Sequence, residues 1–388
     1  MRTKKPRLNI HNLYTAIGLF YSPSLSHWKL INGGVVFIDD HPNFQLLVKE
    51  ELAFLQGAKN KTAAIISMTA KKSSDFRVLP RREALGFTAI NFLVTDLDQA
   101  RECLLMIDGR VEYILIDVEQ KQHVPLVEEA RRIIKQSRII TCKPNDATIE
   151  SCDLLVRHYF NDEIENKSVL VIGSGNLSTK TALRLAERNA KVSMYSRSYT
   201  KTKKIAEALN LILPKYTLHQ IHAMKELAEQ QEPFDIIISF LSAENIVGPE
   251  YLLLIKEDTL VIDGGVNNFQ ASFIKEALKQ GASCYRLDVR IAFLYNLLFL
   301  SNEVDSFFIC IMGRKTLDGV DFVSGGIIGN AGDIIVDRIN NPTQIIGIAD
   351  GYGGVKSKAD YTKEDERRIN DIHNNPALFE KADTPDSE

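Results

Sequence analysis

Several signals that would narrow function at once are missing from this chain. Among its 388 residues, 47 Lys and Arg nearly balance 50 Asp and Glu, for a net charge of −3. So small a net charge sets up no general field to draw in nucleic acid or an anionic membrane, and neither partner is expected. There is no CxxC. The five cysteines, Cys103, Cys142, Cys152, Cys284 and Cys310, are odd in number and far apart. That excludes a disulfide framework and a clustered zinc site, and it fits a reducing, cytoplasmic setting. The basic start, MRTKKPRLNIHNLY, is followed by no long apolar run, so it does not read as a signal peptide. The most apolar long stretch, IAFLYNLLFLSNEVDSFFICIM (291–312), is broken by Asn302, Glu303 and Asp305. It reads as buried or interfacial rather than membrane-spanning. The eight histidines are scattered, and His219 and His222 lack acidic or cysteine neighbours, so no metal site is expected. Internal repeats and low-complexity segments are absent.

What is present is ordinary globular material, 45% hydrophobic and 25% charged, and long enough for two domains. From Lys29 the chain alternates strand-like and helix-like runs. TAAIISMTA, TAINFLV and VEYILIDVE are compact apolar strands; NFQLLVKEELAFLQG, DLDQARECLLMID and HVPLVEEARRIIKQS carry helical periodicity. A second alternating block follows TCKPND, running from the helix ATIESCDLLVRHYF through the strands KSVLVIG, KVSMYSR, FDIIISFL and TLVIDGG. This order predicts α/β architecture with parallel sheets built from βαβ units. From Lys356 the chain is crowded with charge and is expected to be a solvated helix and a frayed tail.

One stretch carries chemistry: VLVIGSGNLSTKTALRLAERNAKVSMYSRSYTKTKK (169–204). Gly173-Ser174-Gly175 follows an apolar strand and opens a helix, the context that makes a glycine pair a dinucleotide cradle. Gly173 permits the tight turn. Gly175 lets backbone approach a pyrophosphate, which would lie against the free N–H groups of Asn176, Leu177 and their neighbours. Two usual elements are missing: Ser178 stands for the third glycine, and the second strand ends without an acidic residue. Instead it ends in Ser196-Arg197-Ser198, with Lys201 close behind. A carboxylate there would hold a ribose 2′-hydroxyl and repel a 2′-phosphate, whereas a guanidinium pairs with phosphate. The expected cofactor is therefore NADP rather than NAD. Ser242, Gly265, Gly325 and Gly326 complete the expected cofactor set.

These pieces, with KLING (29–33), TCKPNDATIESCDLL, DTLVIDGGVNN (258–268) and FVSGGIIGNAGDIIVDRIN (322–340), stand in the order of segments in the methylenetetrahydrofolate dehydrogenase/cyclohydrolase family, which the chain resembles. Shikimate dehydrogenases share the general plan. The resemblance implies an N-terminal substrate domain, a Rossmann domain, and a last helix returning to the first domain. The domains would be an extension (1–28), a substrate domain (29–145), a cofactor domain (146–290), an insertion with the glycine loop and returning helix (291–345), and a charged tail (346–388). The family's catalytic tyrosine and lysine do not carry over. In KKSSDFRVLPRREALGF (71–87), Phe76 falls at the tyrosine position and Pro80 at the lysine position. Cyclohydrolase chemistry is then not expected, while hydride transfer asks less of the protein. Lys72, Arg81 and Asp117 are the candidate catalytic or substrate-side groups. The expected function is an NADP-dependent oxidoreductase acting on a small polar substrate at a C–N or C–O centre, assembled as a homodimer. An active folate dehydrogenase and a non-catalytic NADP-binding regulator are the alternatives.

Overall fold

Runs that are apolar at every position become central strands, because both faces of a parallel sheet are covered. The computed structural model describes residues 27–31, 34–38, 44–68, 75–229, 231–317 and 319–374. It opens with an antiparallel hairpin, β1 (His27–Ile31) and β2 (Gly34–Ile38). Next come α1 (Phe44–Leu55), β3 (Lys61–Met68), β4 (Arg77–Ala84), β5 (Phe87–Val94) and α2 (Leu97–Ile107). They are followed by β6 (Tyr113–Asp117), α3 (Leu126–Ile133), β7 (Arg138–Cys142) and α4 (Pro144–Tyr159). Strands β3 to β7 form one sheet in the order β4-β5-β3-β6-β7, parallel except for β4. Val48 and Leu52 of α1, Cys103 and Leu104 of α2 and Ala130 of α3 pack on one face, against Ala64, Ile66, Ile90, Phe92, Ile114 and Ile116. Helix α2 starts where it does because Asp96 accepts the backbone N–H of Gln99 at 2.9 Å.

Strand β4 lies within the segment read above as the altered catalytic stretch. It is an edge strand, where Pro80 removes no needed ladder donor, and its register shifts between Leu79 and Arg82.

The second sheet carries β8 (Ser168–Ile172), α5 (Asn176–Glu187), β9 (Lys191–Tyr195), α6 (Tyr199–Ile212), β10 (His222–Ala223), β11 (Ile236–Ser239), β12 (Leu260–Asp263), α7 (Ala271–Lys279) and β13 (Ser283–Arg286). All six strands run parallel in the order β10-β9-β8-β11-β12-β13. The period of two divides them cleanly. Val169 and Val171 face α4, α5 and α6, while Leu170 and Ile172 share the opposite core with Phe273 and Ala277 of α7. The strand order reverses between β8 and β11, which opens a crevice outside their carboxyl ends. Behind the crevice, Arg188 clamps the buried carboxylate of Asp153 through two contacts of 2.7 and 2.8 Å, tying the end of α5 to α4.

Both sheets belong to one compact unit, which ends at Ala292; a second begins at Phe293. The second unit contains α8 (Phe293–Leu297), α9 (Asn302–Ser306), β14 (Gly313–Leu317), β15 (Val320–Ser324), β16 (Ile334–Val336), β17 (Ile345–Ile348) and α10 (Lys363–Asn374). Its four strands lie in sequence order, with only the β15–β16 pair parallel.

Two expectations are corrected here. GDIIVDRI is not a returning helix: Ile334, Ile335 and Val336 are strand β16, paired on both sides. Three β-branched residues in a row favour a pleated surface over a helix. Nor is the charged C-terminal region simply a solvated helix. Ile372 of α10 is fully buried in the core formed by Phe322, Ile334, Val336 and Ile348. Asp365 is buried too, accepting from Thr362 N at 2.9 Å and from Lys356 Nζ at 2.8 Å. These bonds hold that carboxyl below the usual carboxylate range. Ile372→Ala should therefore cost about 2–4 kcal/mol in urea unfolding of the second unit, whereas a change in a solvated helix would stay within about 0.5 kcal/mol.

Candidate cofactor site at the carboxyl edge of the six-stranded sheet

The turn from β8 into α5 is built around two glycines with different jobs. Gly173 has φ +125°, and a side chain there would come within 2.5 Å of Ser178 Oγ and 3.0 Å of the Phe240 carbonyl. Its N–H donates to Tyr195 O at 2.8 Å. Gly173 is thus demanded by the fold itself. Gly175 is not: it caps α5 in an extended conformation, and a Cβ there would meet nothing within 4 Å. No side chain caps this helix and no acidic residue occupies its first turn. Gly175 and Asn176 are exposed, and Ser174 and Leu177 half-buried. The helix therefore offers its first N–H groups to open space, which suits a pyrophosphate. Ser178 is fully buried, as a third-glycine position requires, and its hydroxyl has no hydrogen-bond partner.

At the end of β9 the two serines have structural work. Ser198 caps α6 by accepting from Lys201 N at 3.4 Å, and Ser196 Oγ lies 2.7 Å from Thr202 Oγ1. Between them Arg197 is exposed, with no ion pair among the described residues. Lys201 is exposed as well, one turn into the helix.

Across the crevice the loops after β11 and β12 lock together. A side chain at Gly264 would collide with the Phe240 ring at 2.2 Å, and one at Gly265 would collide with Leu241 O at 2.3 Å. The buried amide of Asn268 is fully used. Its Oδ1 accepts from Ser239 Oγ and Leu241 N, both at 2.8 Å, and its Nδ2 donates to Leu241 O at 2.9 Å and Ala243 O at 3.0 Å. Between Gly265 and Asn268, Val266 and Asn267 are left-handed at φ +67° and +58°. For a β-branched valine this is real strain, the kind concentrated at functional loops. Ser242 lies exposed in the adjoining loop.

Asp263 ends β12 and was not among the expected site residues. Its Oδ2 accepts from Asn268 N at 3.1 Å, while its Oδ1 is buried without a hydrogen-bond partner. Burial pushes its carboxyl above the usual range, against the pull of backbone N–H groups and of Arg286. The signal was available: an acidic residue directly before two glycines at a strand end. Asn91 was also missed. It is buried in the middle of β5 with neither amide atom hydrogen-bonded. Its signal was a lone amide inside the apolar run TAINFLV.

The expected substrate-side groups fare differently. Lys72 lies outside the described residues. Arg81 is held by Glu51, with Nε and Nη2 each 2.8 Å from a carboxylate oxygen, and it stacks 3.6 Å from the centre of the Phe54 ring. Asp117 has no exposed side-chain surface. It accepts from Met68 N at 3.3 Å, Glu119 N at 2.8 Å and Lys121 Nζ at 2.9 Å, and so ties the ends of β3 and β6 together. Asp117 braces the five-stranded sheet, while Arg81, though paired with Glu51, keeps part of its side chain exposed and lines a cavity with Arg82, Glu83, Asp288 and Arg290. Phe76 stacks between Phe44 and Phe92, with ring centres 5.3 and 5.7 Å away. Gly325 and Gly326 lie in the second unit, in the turn after β15. A side chain at Gly325 would come within 2.4 Å of the Met312 backbone, so packing inside that unit accounts for it.

Residues 155–263 match the family described as Shikimate / quinate 5-dehydrogenase. The match runs from the end of α4 through β12 and takes in the glycine turn. No relative is found among curated proteins by sequence. Among solved structures, the shikimate dehydrogenase of Aquifex aeolicus is 16% identical, over 64% of this chain and 94% of that one, with a TM-score of 0.37. The L-tryptophan dehydrogenase of Nostoc punctiforme is 10% identical over 64% and 78%, with a TM-score of 0.39. The ornithine carbamoyltransferase of Pyrococcus furiosus is 12% identical over 66% and 91%, also at 0.39. Likeness of this degree falls on dehydrogenases and a transferase alike, so the functional reading rests on the residues themselves.

The Asp263 carboxyl binds its proton more tightly folded than unfolded. Its charge therefore costs stability that grows as pH rises above the ordinary aspartate range and vanishes below it. Asp263→Asn should move the urea midpoint upward at neutral pH and leave it unchanged near pH 3, below the ordinary aspartate pKa of about 3.9.

Proposed function

We propose that this chain is an NADP-dependent oxidoreductase, related to the methylenetetrahydrofolate dehydrogenases, that moves a hydride at a C–N or C–O centre of a small polar molecule. One observation carries the reading: an uncapped, open helix N-terminus after β8, with an unpaired arginine at the end of the neighbouring strand β9. The match of residues 155–263 to shikimate and quinate dehydrogenases supports a nicotinamide cofactor. In this reading the N–H groups from Gly175 to Leu177 hold the pyrophosphate. Arg197 pairs with the 2′-phosphate, and Lys201 adds charge beside it. The bound nicotinamide supplies the site that takes or gives the hydride.

A proton must accompany that hydride. Asp117 is sealed away from solvent, so we assign the proton to Asp263 instead. It stands on the β12 side of the crevice, is only half-buried, and burial raises its carboxyl above the usual aspartate range. The same geometry speaks against cyclohydrolase activity. Phe76 is a core ring, Pro80 sits in an edge strand, and Arg81 is paired with Glu51, so none of these three positions offers a group to exchange a proton with water. Methenyltetrahydrofolate should not be hydrolysed.

Fluorescence titration should show NADPH bound at least about tenfold more tightly than NADH, because one lost charged contact costs about 1.4 kcal/mol or more. Arg197→Ala should remove most of that gap; equal affinities in the unaltered protein would dismiss the reading of β9. Gly175→Val has room for its side chain in the fold, so its urea transition should stay cooperative while dinucleotide binding is lost. Unchanged NADPH affinity in that variant would place the cradle elsewhere. Tight NADPH binding with no turnover across amines, imines and hydroxy acids would favour a regulatory role, whereas Asp263→Asn leaving turnover intact would remove Asp263 as the proton carrier.

A further inference from the structure

The edge strand β4 borders a cavity of about 570 Å³. Arg81, Arg82 and Glu83 of β4 form one wall, and Asp288, Arg290 and Ile291, in the turn that leaves β13, form the other. All six lie in the first unit. The size falls within the roughly 300–1,000 Å³ of small-molecule sites. Arg81 reaches the cavity from the side of α1, where Glu51 holds it. Arg82 lies on the opposite side of the strand, because it stands across from Ala89 in the β4–β5 register. Alternation puts Asn91 on that same face, and neither atom of its buried amide is hydrogen-bonded. The face that carries Arg82 thus also carries amide capacity that the fold leaves unused.

Two of the three guanidiniums are held in place by carboxylates. Arg81 donates from Nε and Nη2 to Glu51, each at 2.8 Å. Arg290 donates from Nε to both oxygens of Asp288 at 2.9 Å, and from Nη2 to Oδ2 as well. Among the described residues neither Nη1 makes a hydrogen bond. A carboxylate on one edge of a guanidinium fixes its plane and leaves the other edge for a ligand. Glu83 is engaged by Thr88, whose Oγ1 donates at 3.3 Å. Arg82 is half-buried. Burial pulls its pKa below the ordinary arginine value, Cys142 and Asp288 oppose that, and Arg290 adds to it. Like charges that share one space are relieved when an anion enters it.

We propose that this cavity binds a small phosphate-bearing molecule, at a site separate from the cofactor crevice. A carboxylate presents its two oxygens in one plane, which a single guanidinium fork satisfies. A tetrahedral phosphate presents oxygens in several directions and bonds guanidiniums on more than one wall. The cavity has room for more than a phosphate group, and the exposed Ile291 offers the rest of the ligand an apolar contact. A peptide strand does not suit this edge: Pro80 and the bulge between Leu79 and Arg82 are features that keep an edge strand from pairing. Nor is the site the dinucleotide's. Four strand spacings, about 19 Å, separate β13 from β9, the strand that leads into Arg197. This inference is independent of the cofactor reading.

The test is calorimetric titration of the full chain with inorganic phosphate and with glycerol 3-phosphate, at constant ionic strength. Saturable binding is expected, with malonate at least about tenfold weaker than the tighter of the two. Arg82→Gln and Arg290→Gln, separately, should each weaken that binding at least about tenfold while the far-UV spectrum is kept. Arg197→Ala, at the other end of the sheet, should leave it unchanged. No saturable binding of either phosphate probe would overturn the proposal. So would malonate bound as tightly, or full affinity kept in either folded glutamine variant. Loss of phosphate binding in Arg197→Ala would place the ion in the cofactor crevice and overturn it as well. Should both glutamine variants unfold, amide exchange of the unaltered chain decides: phosphate should slow exchange at residues 81–84 and 288–291, and unchanged exchange there would reject the site.

Discussion

One side-chain amide holds the carboxyl edge of the six-stranded sheet. Asn268 uses both donors and two acceptor positions of its amide inside the fold, joining the loop after β12 to the loop after β11. A buried amide that is fully satisfied is rigid, because every alternative leaves a polar atom without a partner. Around it the glycines at 264 and 265 bring backbone against Phe240 and Leu241, and Phe240 in turn closes on Gly173. Three loops from β8, β11 and β12 are thus packed as one surface. The left-handed backbone at Val266 and Asn267 is tolerated because this surface leaves it no other path.

That rigidity gives the two ends of the crevice different characters. On the β9 side the groups are exposed and cationic. On the β12 side the carboxyl of Asp263 is half-buried and drawn toward its protonated form. In the proposed reading a dinucleotide laid across such a crevice would meet cationic groups at one end and a carboxyl at the other. The five-stranded sheet makes a different use of its charges. Arg81 and Asp117 are spent on Glu51, Lys121 and backbone N–H groups. Asn91, buried with an unused amide, marks where the sheet departs from simple packing.

The second unit is stabilised by a small core in which a helix and four short strands share few large side chains. A core of that size leaves apolar surface uncovered, and the run from Tyr295 to Ile309 is where most of the large exposed rings lie.

The helices and strands of the first unit were legible from periodicity because period two and period 3.6 are local properties, and the parallel order follows from strand–helix alternation. The glycine turn was legible for the same reason: a turn between a strand and a helix is settled by a few neighbouring residues. What the sequence could not decide were facts of pairing. Whether IIV at 334–336 joins a helix or a strand depended on β15 and β17 lying on either side of it. The partners of Arg81 and Asp117 included Glu51 and Met68, 30 and 49 residues away in sequence. Asp263 and Asn268 acquired their roles only when the ends of two strands were brought together. Local order is written in the chain; the partner of a buried charge is chosen by tertiary contact, because only burial makes an unpartnered charge costly.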